Sequence, residues 1–142
     1  MFLFYIVCMS LIRAVAAVIV KDKRFLAVKR KMMMKRDPGV WEFPGGKVEI
    51  GESLEAATMR EVKEELDIEC YVREILLPYV FQINSTTIDL HYMLCELKTD
   101  ESHIQLIDHD EWAWFDEKRF HKPDWLDGDE QMIHILKKRQ LL

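Results

Sequence analysis

From Ser53 to Leu66 the apolar residues fall into a helical period, and this stretch limits what the whole chain can become. Leu54, Met59, Val62 and Leu66 lie close to one stripe with charges elsewhere, so the helix has an apolar face that must pack against something. The flanking segments read as strands able to supply that partner. Arg13 to Val20 is rich in valine and alanine, Phe25 to Lys29 continues the apolar pattern, and the short polar Lys21-Asp22-Lys23-Arg24 between them predicts a hairpin. Lys31 to Pro38 reads as a loop closed by Asp37-Pro38-Gly39. Trp41-Glu42-Phe43-Pro44 reads as a short strand stopped by Pro44 and opened into a turn by Gly45-Gly46. Beyond the helix, Ile68 to Val80 and Thr87 to Leu97 are strand-like and joined at Asn84-Ser85-Thr86, and Glu111 to Phe115 is a further short strand. Asp116 to His121 predicts a brief turn of helix, and Asp129 to Arg139 a terminal helix with basic residues at its end. The sum is an α+β chain of mixed strands around one or two helices, and 142 residues is the size of one domain, residues 1–142.

Composition narrows the partners. The fractions of 49% hydrophobic and 32% charged residues are those of a soluble globular protein. A formal charge of -5 gives no bias toward polyanions, so no duplex nucleic acid is expected. An acidic protein still binds phosphates where metal ions supply positive charge locally. Cys8, Cys70 and Cys95 are far apart and lack zinc or redox spacing, so reduced structural thiols are expected. Met1 to Ile12 is strongly apolar and Ala14-Val15-Ala16 imitates a cleavage site, but no basic region precedes the run and Arg13 interrupts it. It is also far short of the roughly 20 residues of a membrane helix. Residues 1–12 are therefore read as an N-terminal extension, with Met9 as an alternative start and Met1 to Cys8 either adding a strand or packing loosely. No membrane partner and a cytoplasmic location are expected.

The chemistry lies in Gly46-Lys47-Val48-Glu49-Ile50-Gly51-Glu52 and the following Arg60-Glu61-Val62-Lys63-Glu64-Glu65-Leu66-Asp67-Ile68. At 3.6 residues per turn, Glu61, Glu64 and Glu65 face one way, and Glu52, just before the helix, can reach back to them. Like charges so placed cost roughly 0.2 to 0.5 kcal/mol per pair on an exposed helix. A hard divalent cation turns that repulsion into coordination, since magnesium takes carboxylate, phosphate and water oxygens. An exposed acidic helix face is the plain alternative. Two glycines that let a main-chain carbonyl come close, and an arginine whose planar fork can brace the carboxylates, favour the metal.

This spacing resembles the Nudix box: Gly, five residues, Glu, seven residues, Arg-Glu, an aliphatic, one residue, Glu-Glu, one residue, Gly, an aliphatic. Gly46, Glu52, Arg60, Glu61, Val62, Glu64, Glu65 and Ile68 match over 46–68, and Asp67 departs from the usual helix-ending glycine. With Trp41 to Lys47 and the order of elements, the likeness to the compact MutT-type branch of Nudix hydrolases covers Arg13 to about Lys138. It implies an α/β/α sandwich with a mixed β-sheet between helices, and a nucleotide substrate. It implies Mg2+, or Mn2+ in its place, held by the Gly45 carbonyl and by Glu61, Glu64 and Glu65. Glu52 and Arg60 would orient these ligands, Glu61 would serve as base, and Asp108, with Asp110 as its rival, would join from a later loop. Asp129 corresponds to the base-reading position, its alternative role being to cap the last helix. Arg30, Phe43 and Lys47 fall among the substrate-binding residues, with Trp112 and Phe81 as further pocket or core aromatics.

The reaction so implied splits a nucleoside triphosphate with water into a monophosphate and diphosphate, on oxidised nucleotides such as 8-oxo-dGTP or on CTP-like substrates. ADP-ribose or nucleotide-sugar cleavage is the nearer alternative, and a non-catalytic nucleotide-binding regulator the more distant one. Monomer and homodimer both remain open.

Overall fold

The computed structural model describes residues 10–142, so the reading of Met1 to Cys8 lies outside the described residues. In chain order the elements are β1 (Ser10–Lys21), β2 (Arg24–Arg30), β3 (Trp41–Glu42), β4 (Gly45–Lys47), helix α1 (Leu54–Leu66), β5 (Cys70–Ile83), β6 (Thr86–Leu97), a 3₁₀ turn (Glu101–His103), β7 (His109–Phe115) and helix α2 (Asp127–Lys138).

The expected hairpin forms between β1 and β2, with Lys21 opposite Arg24. Its two-residue turn puts Asp22 and Lys23 at φ 51° and 59°, the left-handed pair that matches strand twist. β1 is the centre of the molecule. It pairs in parallel with β6 from Ser10↔Thr86 to Ile19↔Cys95, and with β4 antiparallel through Val15↔Gly46. β5 lies antiparallel on β6, and β2 carries both β3 and β7.

Alternation along β1 and β2 sends side chains to opposite faces. Val15, Ala17, Ile19, Leu26 and Val28 pack with Val62 and Leu66 of α1, while Ala16, Val18, Phe25 and Ala27 pack with Met132, Ile133 and Leu136 of α2. The mixed sheet between helices is the expected α+β sandwich. Cys70 and Cys95 are free and buried in the α1-side core, as reduced structural thiols should be. No helix among the described residues is long and apolar enough to cross a membrane.

α1 starts where Ser53 caps it, its hydroxyl accepting from the Ala56 N–H at 3.0 Å. It ends at Asp67, which takes the left-handed conformation (φ 56°) that glycine holds elsewhere in the box, and the Asp67 carboxylate reaches Lys63 at 3.0 Å. The buried stripe differs slightly from expectation. It runs through Ala57, Thr58, Val62 and Leu66, leaving Met59 exposed, and the Thr58 hydroxyl is satisfied by the Leu54 carbonyl at 2.7 Å. Asp116 to His121 is a turn and not a helix, because the Asp116 carboxylate takes up the Lys118 and Arg119 N–H groups at 2.9 Å each.

Candidate active site

Arg60 organises the acidic cluster. Its Nε and Nη2 grip both Glu52 oxygens at 2.7 and 2.9 Å, Nη2 also reaches the Lys47 carbonyl at 2.9 Å, and Nη1 is shared by Glu61 at 3.0 Å and Glu64 at 3.1 Å. Every donor of the guanidinium is thus occupied. These hydrogen bonds hold Glu52 down at a pKa of about 2, and Glu52 in turn raises that of Arg60. Burial pushes Glu61 above its ordinary value, with Arg60 opposing the rise.

Gly45-Gly46 forms strand β4 and not the open turn that the sequence suggests, and close approach is the physical reason for both glycines. A Cβ on Gly45 would overlap the Val15 carbonyl oxygen and lie 2.9 Å from Ala16 Cα, and one on Gly46 would strike the Glu61 carboxylate. Gly45→Ala is expected to cost about 1–3 kcal/mol, because main chain cannot step aside. Gly46→Ala should keep the melting temperature within a few degrees while displacing Glu61 and slowing turnover. Thermal unfolding and rate measurements on the two variants check this contrast, and equal melting temperatures for Gly45→Ala and the parent would refute it.

Glu65 is half-buried and lies against β4. Its Oε2 accepts from the Gly45 N–H at 3.2 Å. Burial, with the charges of Glu42, Glu61 and Asp108, lifts its pKa to about 9. Among the described residues no three His, Cys, Asp or Glu side chains converge on one point, since Arg60 draws Glu61 and Glu64 while Gly45 holds Glu65. The donor set is nonetheless all oxygen, and Glu65 is raised first by desolvation and then by surrounding negative charge, a setting that a hard divalent cation relieves. The residues present fit such an ion.

A cleft of about 1050 Å³ opens beside this cluster, lined by Gly45, Gly46, Lys47 and Glu65 together with Arg30, Asp108 and Asp129. Phe43 and Phe81 line it as well. Trp112 does not, and instead packs against the α1-side core. Asp108 lines the cleft and its rival Asp110 does not. Glu52, Arg60, Glu61 and Glu64 stand outside the lining, joined to it through Gly46 and the Lys47 carbonyl.

Asp129 lines the cleft and does not cap α2. The N-cap position of α2 is Leu126, and Asp129, only 4% exposed, accepts from the Phe43 N–H at 3.0 Å and from the Tyr92 hydroxyl at 2.8 Å. Burial raises its pKa to about 7 against the pull of those two bonds. Sequence reasoning missed Tyr92, Glu42 and His109. Glu42 stands inside Trp41-Glu42-Phe43-Pro44 and His109 next to Asp108, yet no spacing rule marks either of them.

The NUDIX domain family model matches residues 10–135. The chain is 40% identical over 83 residues to the CTP pyrophosphohydrolase of Escherichia coli (strain K12), covering 58% of this chain and 61% of that protein. It is 41% identical over 66 residues to an ADP-ribose pyrophosphatase of Methanocaldococcus jannaschii, covering 46% of this chain and 38% of the relative. The matched stretch is thus under two thirds of either relative's length. Among solved structures, the E. coli ORF135 protein aligns with a TM-score of 0.77 at 28% identity, covering 92% of this chain and 94% of that one. The MutT protein from Methanosarcina mazei Go1 aligns with a TM-score of 0.76 at 25% identity, covering 92% and 95%.

Proposed function

The chain belongs to the NUDIX family, and from that premise we propose that it is a divalent-cation-dependent hydrolase that converts nucleoside triphosphates to monophosphates and diphosphate. The observation that carries this reading is the half-buried Glu65, set among other carboxylates on the wall of a nucleotide-sized cleft and tied to the Gly45 N–H. Glu61, Glu64, Glu65 and the Gly45 carbonyl would hold the cation, with Mg2+ as the expected ion. Such a cation, when bound, neutralises phosphate oxygens and acidifies a water.

The protein's own groups have distinct tasks. Arg60 keeps Glu52, Glu61 and Glu64 at fixed positions, so little rearrangement precedes the reaction. Glu61, raised above its ordinary value by burial and held by Arg60, would accept the proton of the attacking water. Lys47 and Arg30 bring positive charge to the cleft for the phosphates and the outer part of the nucleotide. Phe43 and Phe81 offer apolar surface to the base, with Asp129 on the same wall.

Cytidine triphosphates or oxidised purine triphosphates are the proposed substrates. The relationship to a CTP pyrophosphohydrolase supports the first. The relationship to an ADP-ribose pyrophosphatase supports a second reading, cleavage of ADP-ribose or a nucleotide sugar. Incubation with Mg2+ and a panel of normal and oxidised triphosphates, ADP-ribose and nucleotide sugars decides between them. Pyrophosphate and a monophosphate are the expected products. Release of orthophosphate with a nucleoside diphosphate would contradict the proposed cleavage position.

A further inference from the structure

β2 and β7 pair in step from Phe25↔Phe115 to Lys29↔Glu111, and then the register shifts so that Arg30 faces His109, leaving Asp110 as the extra residue. A bulge of this kind re-aims the side chains beside it. Here it turns the His109 side chain inward to 8% exposure and sets Asp108 and His109 on the cleft wall. The His109 Nε2 lies 3.0 Å from Glu42 Oε1, and because a carboxylate only accepts, the ring donates there. The same Glu42 carboxylate accepts from Arg30 Nη1 at 3.2 and 3.4 Å. Arg30 uses its remaining side to donate from Nε and Nη2 to the Arg36 carbonyl at 3.3 and 3.1 Å. Its main chain closes the same segment, with its N–H on the Val40 carbonyl at 2.9 Å and its carbonyl receiving the Gly39 N–H at 3.1 Å.

These bonds form one continuous path from β7 through β3 and β2 to residues 31–40, the segment that brings Lys31, Met33, Met34 and Arg36 to the cleft. His109 Nδ1 is buried with no partner, which is not expected of a residue retained for packing alone. We propose that His109 is a positioning residue: through Glu42 and Arg30 it holds segment 31–40 against the cleft and sets how tightly the outer part of the nucleotide binds, without taking part in bond breaking. This role rests on the nucleotide-hydrolase reading given above.

His109→Leu and His109→Gln both fill the space, but only glutamine keeps an N–H for Glu42. The leucine variant is expected to raise KM about tenfold with kcat changed by less than about twofold, the size expected for losing a charge-assisted hydrogen bond. The glutamine variant should restore KM to within about threefold of the parent. Hydrogen exchange on the full chain, without substrate, should show the Gly39 and Val40 amides exchanging about tenfold faster in the leucine variant. In an Arg30→Ala background, His109→Leu should raise KM no further, because the two act along one path. An unchanged KM, a fall in kcat alone, unaltered exchange, or fully additive effects with Arg30→Ala would each overturn the proposal. If the leucine variant does not fold, Glu42→Gln takes its place, and it must raise KM and speed the same amides or the proposal fails. If the parent hydrolyses no nucleotide in the panel, the functional reading falls, whereas the exchange experiment still decides whether His109 holds segment 31–40.

Discussion

Glu64→Gln is expected to lower kcat by about 100- to 10,000-fold at saturating Mg2+ while leaving the melting temperature within a few degrees of the parent. Both halves of this expectation come from where Glu64 stands. Its side chain is 56% exposed and its hydrogen bond is to Arg60 at 3.1 Å, an arrangement worth about 0–1 kcal/mol. The amide carbonyl of glutamine can still accept from Arg60, so the helix loses little. What disappears is the negative oxygen that the proposed function assigns to the cation beside the substrate phosphates. Glu55→Gln, on the exposed first turn of the same helix, is the matched control and should turn over like the parent. Steady-state kinetics with thermal unfolding on both variants reads the outcome. A Glu64→Gln protein as fast as the parent would remove Glu64 from the active site.

The metal-free protein should lose stability as pH rises from about 5 to about 9, by several kcal/mol in all. Two desolvated acids, the buried Asp129 and the half-buried Glu65, set the sign. Glu65 rises from an ordinary 4.5 to about 9 in the fold, and Asp129 from 3.8 to about 7. The folded chain keeps these protons where the unfolded chain has released them, so their contribution is fully present below about pH 4. It is lost upward through about pH 7 for Asp129 and about pH 9 for Glu65. Glu52 works in the opposite sense, its stabilisation fading only as pH falls toward about 2, so it leaves this window alone. On the proposed assignment of Glu65 as a ligand, magnesium should reverse the loss, because it would bind the deprotonated carboxylate and release a proton. The gap in melting temperature between magnesium-loaded and chelator-treated protein should therefore widen with pH. Glu65→Gln should flatten the metal-free profile above about pH 7 and abolish the magnesium effect. A metal-free melting temperature that climbs across this range would show that Glu65 is not buried as a neutral acid.

Local signals carried the reading far, and long-range geometry marks where it stopped. α1 was legible because its apolar period and its charged face agree, and the spacing of Glu52, Arg60, Glu61, Glu64 and Glu65 on one turn and its approach follows from helix geometry alone. The β1–β2 hairpin was legible from a short polar turn between two apolar runs. β4 was not, since two glycines read equally as a turn or as a strand pressed on its neighbour, and only the position of Val15 distinguishes the two. The division of partners by Arg60 is a matter of side-chain geometry among near neighbours, while the tie of Asp129 to Tyr92 and the Arg30–Glu42–His109 path join residues far apart in sequence. The last of these depends on a one-residue register shift that no periodicity announces.

The parallel union of β1 with β6 joins residues 76 positions apart, Ser10 with Thr86. Chains whose central pairing spans such a distance fold slowly, because a long loop must close before its contacts can reward it. Refolding after dilution from urea should therefore regain α1 circular dichroism well before hydrolytic activity, and newly made chains would stay inactive until β6 has docked.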